Sequence, residues 1–220
     1  ACTAAMPDGT GISTVIDKYP GRVWDTGICE SHALDMMAGL AKTGFKPFFA
    51  VYSTFLQRAF DQAFQESALQ GLPVRLCLDR AGLVGGDGAV HHGFCDVSLL
   101  RTLPDAALLA PIDEPSLVAA LEFMRTYDEG LSAVRYPRDD VSTRFATLDC
   151  PAFELGKARL LTSEFENRPD AAVLAFGTPA IDAMTAVDEL GADFKVAVWD
   201  ARFAKPVDRG VIESLLRRNI

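Results

Sequence analysis

The stretch PVRLCLDRAGLVGGDGAVHHG, residues 73–93, decides how the rest of the chain is read. Pro73 to Asp79 is a short, mostly apolar run, the pattern of a strand buried on both faces. It stops at Asp79 and opens into a glycine-rich loop that carries Arg80, Asp87, His91 and His92. In open parallel sheets, ligands bind where the carboxyl ends of strands give way to such loops. Glycines also make ordinary tight turns, so the loop alone does not prove a site.

Working outward, strand-like and helix-like segments alternate. Arg22–Thr26 (RVWDT) reads as a strand and Glu30–Lys42 (ESHALDMMAGLAK) as a helix with Ala33, Met37, Leu40 and Ala41 on one face. Lys46–Tyr52 is an apolar strand, and Thr54–Gln70 predicts one long amphipathic helix closed by Gly71. After the loop come a strand at Ala106–Ala110, a helix at Glu114–Tyr127 and a strand at Ser132–Arg135. This alternation predicts an α/β fold, a parallel sheet with helices on both faces. Periodicity fails from Pro137 to about Lys157. A second α/β pattern follows, with strands at Ala171–Phe176 and Phe194–Trp199 and helices at Pro179–Leu190 and Asp208–Arg218. The expected organisation is a domain over 1–138, a linker over 139–158 and the N-terminal part of a second domain over 159–220.

Composition narrows the function. The 220 residues carry a net charge of −9, which argues against a nucleic-acid-binding body but not against anionic substrates held by a few arginines. No apolar run approaches a membrane span, so no membrane partner is expected. The five cysteines are scattered and form no C-x-x-C pair, which fits a reducing cytoplasm better than a disulfide framework or a zinc site. The chain starts at Ala1 without Met and stops at Ile220 just after a helical pattern, so a fragment of a longer protein is expected.

Within the loop, adjacent His91 and His92 point to opposite sides of an extended chain and make a poor metal pair. Arg80 can grip a phosphate in two places and His91 can move protons near neutral pH. A turn and a site remain about equally good readings of these residues taken alone.

A family likeness tips the balance. TAAMPDGTG at 3–11, DTGICESHA at 25–33, YSTFLQRAFDQ at 52–62, DRAGLVGGDGAVHHG at 79–93 and VRYPRD at 134–139 resemble, in order, the pyrimidine-binding domain of the 1-deoxy-D-xylulose-5-phosphate synthases. These are transketolase-like, thiamine diphosphate-dependent enzymes. DARFAKPVD at 200–208 resembles the start of their C-terminal domain.

The resemblance implies a thiamine diphosphate cofactor and Mg2+, the metal being held by an N-terminal diphosphate-binding domain that this chain lacks. It implies decarboxylation of pyruvate and joining of its two-carbon unit to glyceraldehyde 3-phosphate. That reaction feeds isoprenoid, thiamine and pyridoxal synthesis. Glu30 matches the glutamate that hydrogen-bonds the cofactor's aminopyrimidine and drives its tautomeric shift. A glutamate in a helix's first turn is otherwise explained by the helix dipole. Phe55 matches the aromatic that stacks on the pyrimidine, and Tyr52 and Arg58 match residues of the same cleft. Arg80 and Arg135 match arginines that bind the acceptor's phosphate. Asp87 and His91 match groups near its hydroxyls and carbonyl.

The resemblance also implies a homodimer and a missing diphosphate-binding domain or companion subunit, without which the fragment does not turn over. Two departures stand out. Ser31 replaces a usual glutamine, and Val90 a usual threonine. Gly86-Asp87-Gly88 looks like the opening of the family's metal-diphosphate motif, but no asparagine stands at the short distance downstream that the motif needs. The chain has only Asn167 and Asn219. The competing readings are a transketolase half, a 2-oxo acid dehydrogenase β-type subunit, or a phosphate-ligand module without catalysis.

Overall fold

The computed structural model describes residues 1–145, 150–162, 169–190 and 194–220. Part of the expected linker (146–149) and Asn167 lie outside the described residues. Two compact units form, Ala1–Leu108 with Met124–Asp139, and Leu109–Phe123 with Asp140–Ile220.

In chain order the elements are β1 (Cys2–Thr3), α1 (Ser13–Ile16), β2 (Trp24–Asp25), α2 (Glu30–Lys42), β3 (Phe48–Tyr52), α3 (Phe60–Gln62), β4 (Arg75–Asp79), α4 (Asp96–Thr102), β5 (Ala107–Leu109), α5 (Glu114–Thr126) and β6 (Ser132–Arg135). The sheet of the first unit has the order β5-β6-β4-β3-β1-β2. The pairings β1 with β2, β1 with β3, β3 with β4 and β4 with β6 are all parallel, as the alternating sequence pattern predicts. The registers Tyr52↔Asp79 and Leu78↔Arg135 align the carboxyl ends of β3, β4 and β6.

Helix α2 forms where it is expected, because its sequence is locally consistent. Ala33, Leu34, Met37, Ala38 and Ala41 recur at helical spacing and are all buried. Glu30 in the first turn and Lys42 in the last complement the helix dipole.

The single helix expected over Thr54–Gln70 is instead three pieces. Ser53–Ala59 is a 3-10 helix, α3 is one α turn, and Ala63–Ala68 is π-helical. Burial explains the change. Ser53, Leu56 and Ala59 are buried three apart, the period of a 3-10 turn, whereas Ala63, Ser67 and Ala68 need the wider π turn to face inward together. A 3.6-residue period would turn part of each set to solvent.

The second unit contains β7 (Arg159–Leu160), β8 (Ala171–Ala175), α6 (Pro179–Leu190), β9 (Val196–Asp200), β10 (Phe203–Lys205) and α7 (Arg209–Arg217). Its three-stranded sheet has the order β7-β9-β8, with β8 parallel and β7 antiparallel to β9. Ile112, Phe145, Ala180 and Val198 share its core. Asp208 caps α7, accepting from the Val211 amide at 3.1 Å. The short pieces β1, α4, β7 and β10 escape sequence reading, because two to seven residues show no period to count.

Candidate functional site

The functional candidates sit on the segments that follow the carboxyl ends of β1, β2, β3, β4 and β6 in the first unit. Parallel strands deliver their loops to one edge, so residues from positions 9 to 138 meet there.

At one end lies Glu30, only 3% exposed although it opens a helix. Arg58 Nη1 donates to its Oε1 at 2.6 Å, and the same guanidinium stands 4.6 Å from the Phe55 ring centroid. The short 3-10 turn carries both Phe55 and Arg58, and Arg58 reaches α2. Ser31 Oγ donates to the Arg58 carbonyl at 2.6 Å, so the serine that departs from the family pattern ties this turn to α2.

Phe55 stacks on Tyr52, with centroids 5.9 Å apart and planes at 18°. His91 meets both rings edge-on, at 6.1 and 5.6 Å. Beyond Tyr52, the Arg80 guanidinium lies 3.9 Å from the tyrosine ring centroid. Two stacked rings, Phe55 and Tyr52, are thus flanked by two cations, Arg58 and Arg80. Burial pushes the Tyr52 hydroxyl above its ordinary range, with the Arg80 charge opposing.

Arg80 is the most constrained side chain of the site. Its backbone is left-handed (φ 58°), a conformation that non-glycine residues adopt at a cost. Its Nη1 donates to the Asp79 carboxylate at 3.0 Å and to the Gly9 carbonyl at 2.9 Å, and its Nε donates to Asp87 at 3.1 Å. Asp87 also accepts from Arg138 at 2.8 Å. Arg135 is held by Asp96, whose side chain is fully buried, at 2.7 Å.

The glycine loop is pinched at its neck. Gly82 and Gly93 exchange two main-chain hydrogen bonds of 2.9 and 2.8 Å. A side chain on Gly93 would come within 2.6 Å of the Arg80 carbonyl, and one on Gly9 would meet the Tyr52 hydroxyl at 1.7 Å. Glycine is required at both places because two segments pack backbone against side chain. The adjacent histidines take opposite protonation patterns. His91 Nδ1 lies 2.7 Å from the Asp87 carbonyl, which only accepts, so this nitrogen carries the proton. His92 Nδ1 accepts from the Val84 amide at 3.1 Å, so it does not.

Sequence reasoning places Glu30, Tyr52, Phe55, Arg58, Arg80, Asp87, His91 and Arg135 in one site. The first seven form one connected group, and Arg135 pairs with Asp96. Missed were Arg138, Asp79 and Gly9. Arg138 stands three residues after Arg135 in the motif VRYPRD, so its signal was present. Asp79 and Gly9 carry no signal until the fold brings them to Arg80. Among the described residues, no group of three His, Cys, Asp or Glu side chains could hold a metal ion.

Glu30 supplies a carboxylate acceptor and Phe55 a flat ring face, two demands that a planar, nitrogen-bearing donor would meet. The Arg58 guanidinium bonds the one and lies over the other, with 53% of its side chain exposed. A pyrimidine ring satisfies the same two demands, so the residues present fit that half of a thiamine cofactor.

A parallel α/β sheet that assembles such a site at its carboxyl edge belongs to the open-sheet class of ligand-binding domains. Within that class, the family model for the transketolase pyrimidine-binding domain matches residues 1–143. The chain belongs to that family. It is 41% identical over 98% of its length to 1-deoxy-D-xylulose-5-phosphate synthase of Helicobacter hepaticus. It is 45% identical over 99% to 1-deoxy-D-xylulose-5-phosphate synthase 1 of Geobacter metallireducens. It spans 34% of the length of each of these curated relatives. A split-gene transketolase, solved as an inactive β4 tetramer, superposes with a TM-score of 0.81 at 26% identity over 98% of this chain and 69% of its own. Transketolase from Campylobacter jejuni superposes with a TM-score of 0.77 at 20% identity over 93% of this chain and 32% of its own, a likeness of fold.

Proposed function

We propose that this chain forms the pyrimidine-binding part, and the beginning of the following domain, of a 1-deoxy-D-xylulose-5-phosphate synthase. That enzyme condenses pyruvate, with loss of carbon dioxide, and D-glyceraldehyde 3-phosphate to 1-deoxy-D-xylulose 5-phosphate. The observation that carries the reading is the buried Glu30 carboxylate, bonded by the Arg58 guanidinium that lies 4.6 Å from the Phe55 ring centroid, in a chain 41–45% identical to synthases over nearly its whole length.

When bound, thiamine diphosphate supplies the electron sink for decarboxylation and carbon–carbon bond formation. The chain's own residues bind, orient and protonate. Glu30 would hold the cofactor's aminopyrimidine by a hydrogen bond to a ring nitrogen, and its burial would strengthen that bond. Phe55 provides the flat apolar face, and Arg58 withdraws toward solvent to uncover it. Tyr52 and Arg80 form the far wall. Arg80 and Arg138 offer guanidinium groups to the acceptor's phosphate, which competes with Asp87 for them. His91, its Nδ1 fixed by the Asp87 carbonyl, presents Nε2 as a proton acceptor near the aldehyde. Mg2+ and the diphosphate are held by another domain or a companion chain, in a dimeric assembly in the cytoplasm.

In the complete enzyme, Glu30→Gln keeps the fold and is expected to abolish condensation of pyruvate with glyceraldehyde 3-phosphate. An unchanged rate, measured beside an unchanged melting curve, removes the mechanism.

A further inference from the structure

We propose that Asp79 is a positioning residue: with the Gly9 carbonyl, its carboxylate fixes the Arg80 guanidinium for the phosphate of an aldehyde acceptor. The inference rests on the acceptor reading above and adds the group that aims its arginine.

Arg80 directly follows the last residue of β4, and its left-handed backbone holds the side chain against the sheet edge. A strained residue survives where its surroundings over-determine it. Here four contacts do so: Asp79, Asp87, the Gly9 carbonyl and the Tyr52 ring.

These contacts differ in how easily they are exchanged. Asp87 stands in the loop, is 22% exposed and is shared with Arg138 at 53% exposure, so an incoming phosphate can take its place. Asp79 is set in the sheet, in register with Tyr52, and is 14% exposed. Burial pushes its carboxyl up from the ordinary value, and the charge and hydrogen bonds of Arg80 oppose that rise. Gly9 reaches the guanidinium because it has no side chain to strike Tyr52. When phosphate displaces Asp87, Asp79 and Gly9 therefore still hold Arg80 Nη1 from behind.

The test uses the complete enzyme with Asp79→Asn, Asp79→Ala and Arg80→Met. Three quantities are measured: KM for glyceraldehyde 3-phosphate, KM for unphosphorylated glyceraldehyde, and calorimetric affinity for inorganic phosphate. Losing a charge-assisted bond that orients the cation should raise the ratio of the first KM to the second about tenfold in Asp79→Ala, and weaken inorganic phosphate about as much. Asp79→Asn keeps an acceptor oxygen at Oδ1 and should recover part of both. A ratio and a phosphate affinity at the wild-type level overturn the proposal, and so does an equal rise in both KM values. If Asp79→Ala does not fold, Asp79→Asn decides by the same criteria. If Arg80→Met leaves the ratio unchanged, the acceptor reading falls and this inference with it. If Arg80→Met loses the preference while both Asp79 variants keep it, only the inference falls.

Discussion

Strand β4 has an arginine at each end, and the two have different fates. Arg75, at its start, is fully buried. It donates to the main-chain carbonyls of Pro73, Met124 and Tyr127 and pairs with Asp128, which Lys46 also bonds. Arg80, just past its end, is 12% exposed and binds two carboxylates, one carbonyl and an aromatic face. Carbonyls inside a fold cannot be displaced, so Arg75 is committed to structure. The loop carboxylate of Asp87 can give way to an anion while Asp79 and the Gly9 carbonyl stay, so Arg80 is held in place yet keeps one exchangeable partner. An arginine's partners, more than its burial, decide whether it can serve a ligand.

The comparison breaks most readily at Arg75. Arg75→Met removes the donor from three main-chain carbonyls and should cost about 3 kcal/mol or more in chemical denaturation, with no change in phosphate preference at temperatures where the protein is folded. Arg80→Gly should do the reverse. It relieves the left-handed backbone, so stability stays within about 1 kcal/mol of wild type, while affinity for phosphorylated acceptor falls steeply. A large stability loss in Arg80→Gly would make the two arginines alike.

The smallest effects are in pH dependence, and their signs are opposite. Lys46, then Arg75, hold the exposed Asp128 carboxyl below its ordinary value. Its contribution is therefore present above that value and is lost as pH falls through the lowered one. Asp79 is raised by burial. Its contribution is fully present below the ordinary value and is lost as pH rises through the raised one. Denaturation of Asp128→Asn and Asp79→Asn between pH 3 and 7 should remove slopes of opposite sign. Asp128→Asn should shift stability less than Arg75→Met does, because Asp128 and its pair with Lys46 face water and Arg75 keeps its three carbonyl partners.

Much of this was legible in the residues. Helix α2 announces itself by period, charge and burial together, and β4 by an apolar run that ends in charge. Glu30, Phe55, Arg58 and Arg80 come from motifs that resemble a family, and the fold gathers them. The 3-10 and π turns after β3 were not legible, because which period wins depends on the wall that Leu56, Ala59 and Ala63 face. Arg75 drew no notice in sequence, since nothing local tells a clamped arginine from an exposed one. The quoted triplet Gly86-Asp87-Gly88 reads as a metal motif out of context, whereas Asp87 bonds Arg80 and Arg138.

The sequence by itself determined the alternation of strands and helices, the parallel sheet and the family, because those follow from local periodicity and contiguous motifs. The tertiary structure alone decided that Gly9, Asp79 and Arg80 meet, that His91 and His92 hold their protons on different nitrogens, and that Arg58 covers both Glu30 and Phe55. These depend on contacts between segments distant in the chain, and such contacts exist only once parallel strands have brought their loops to one edge.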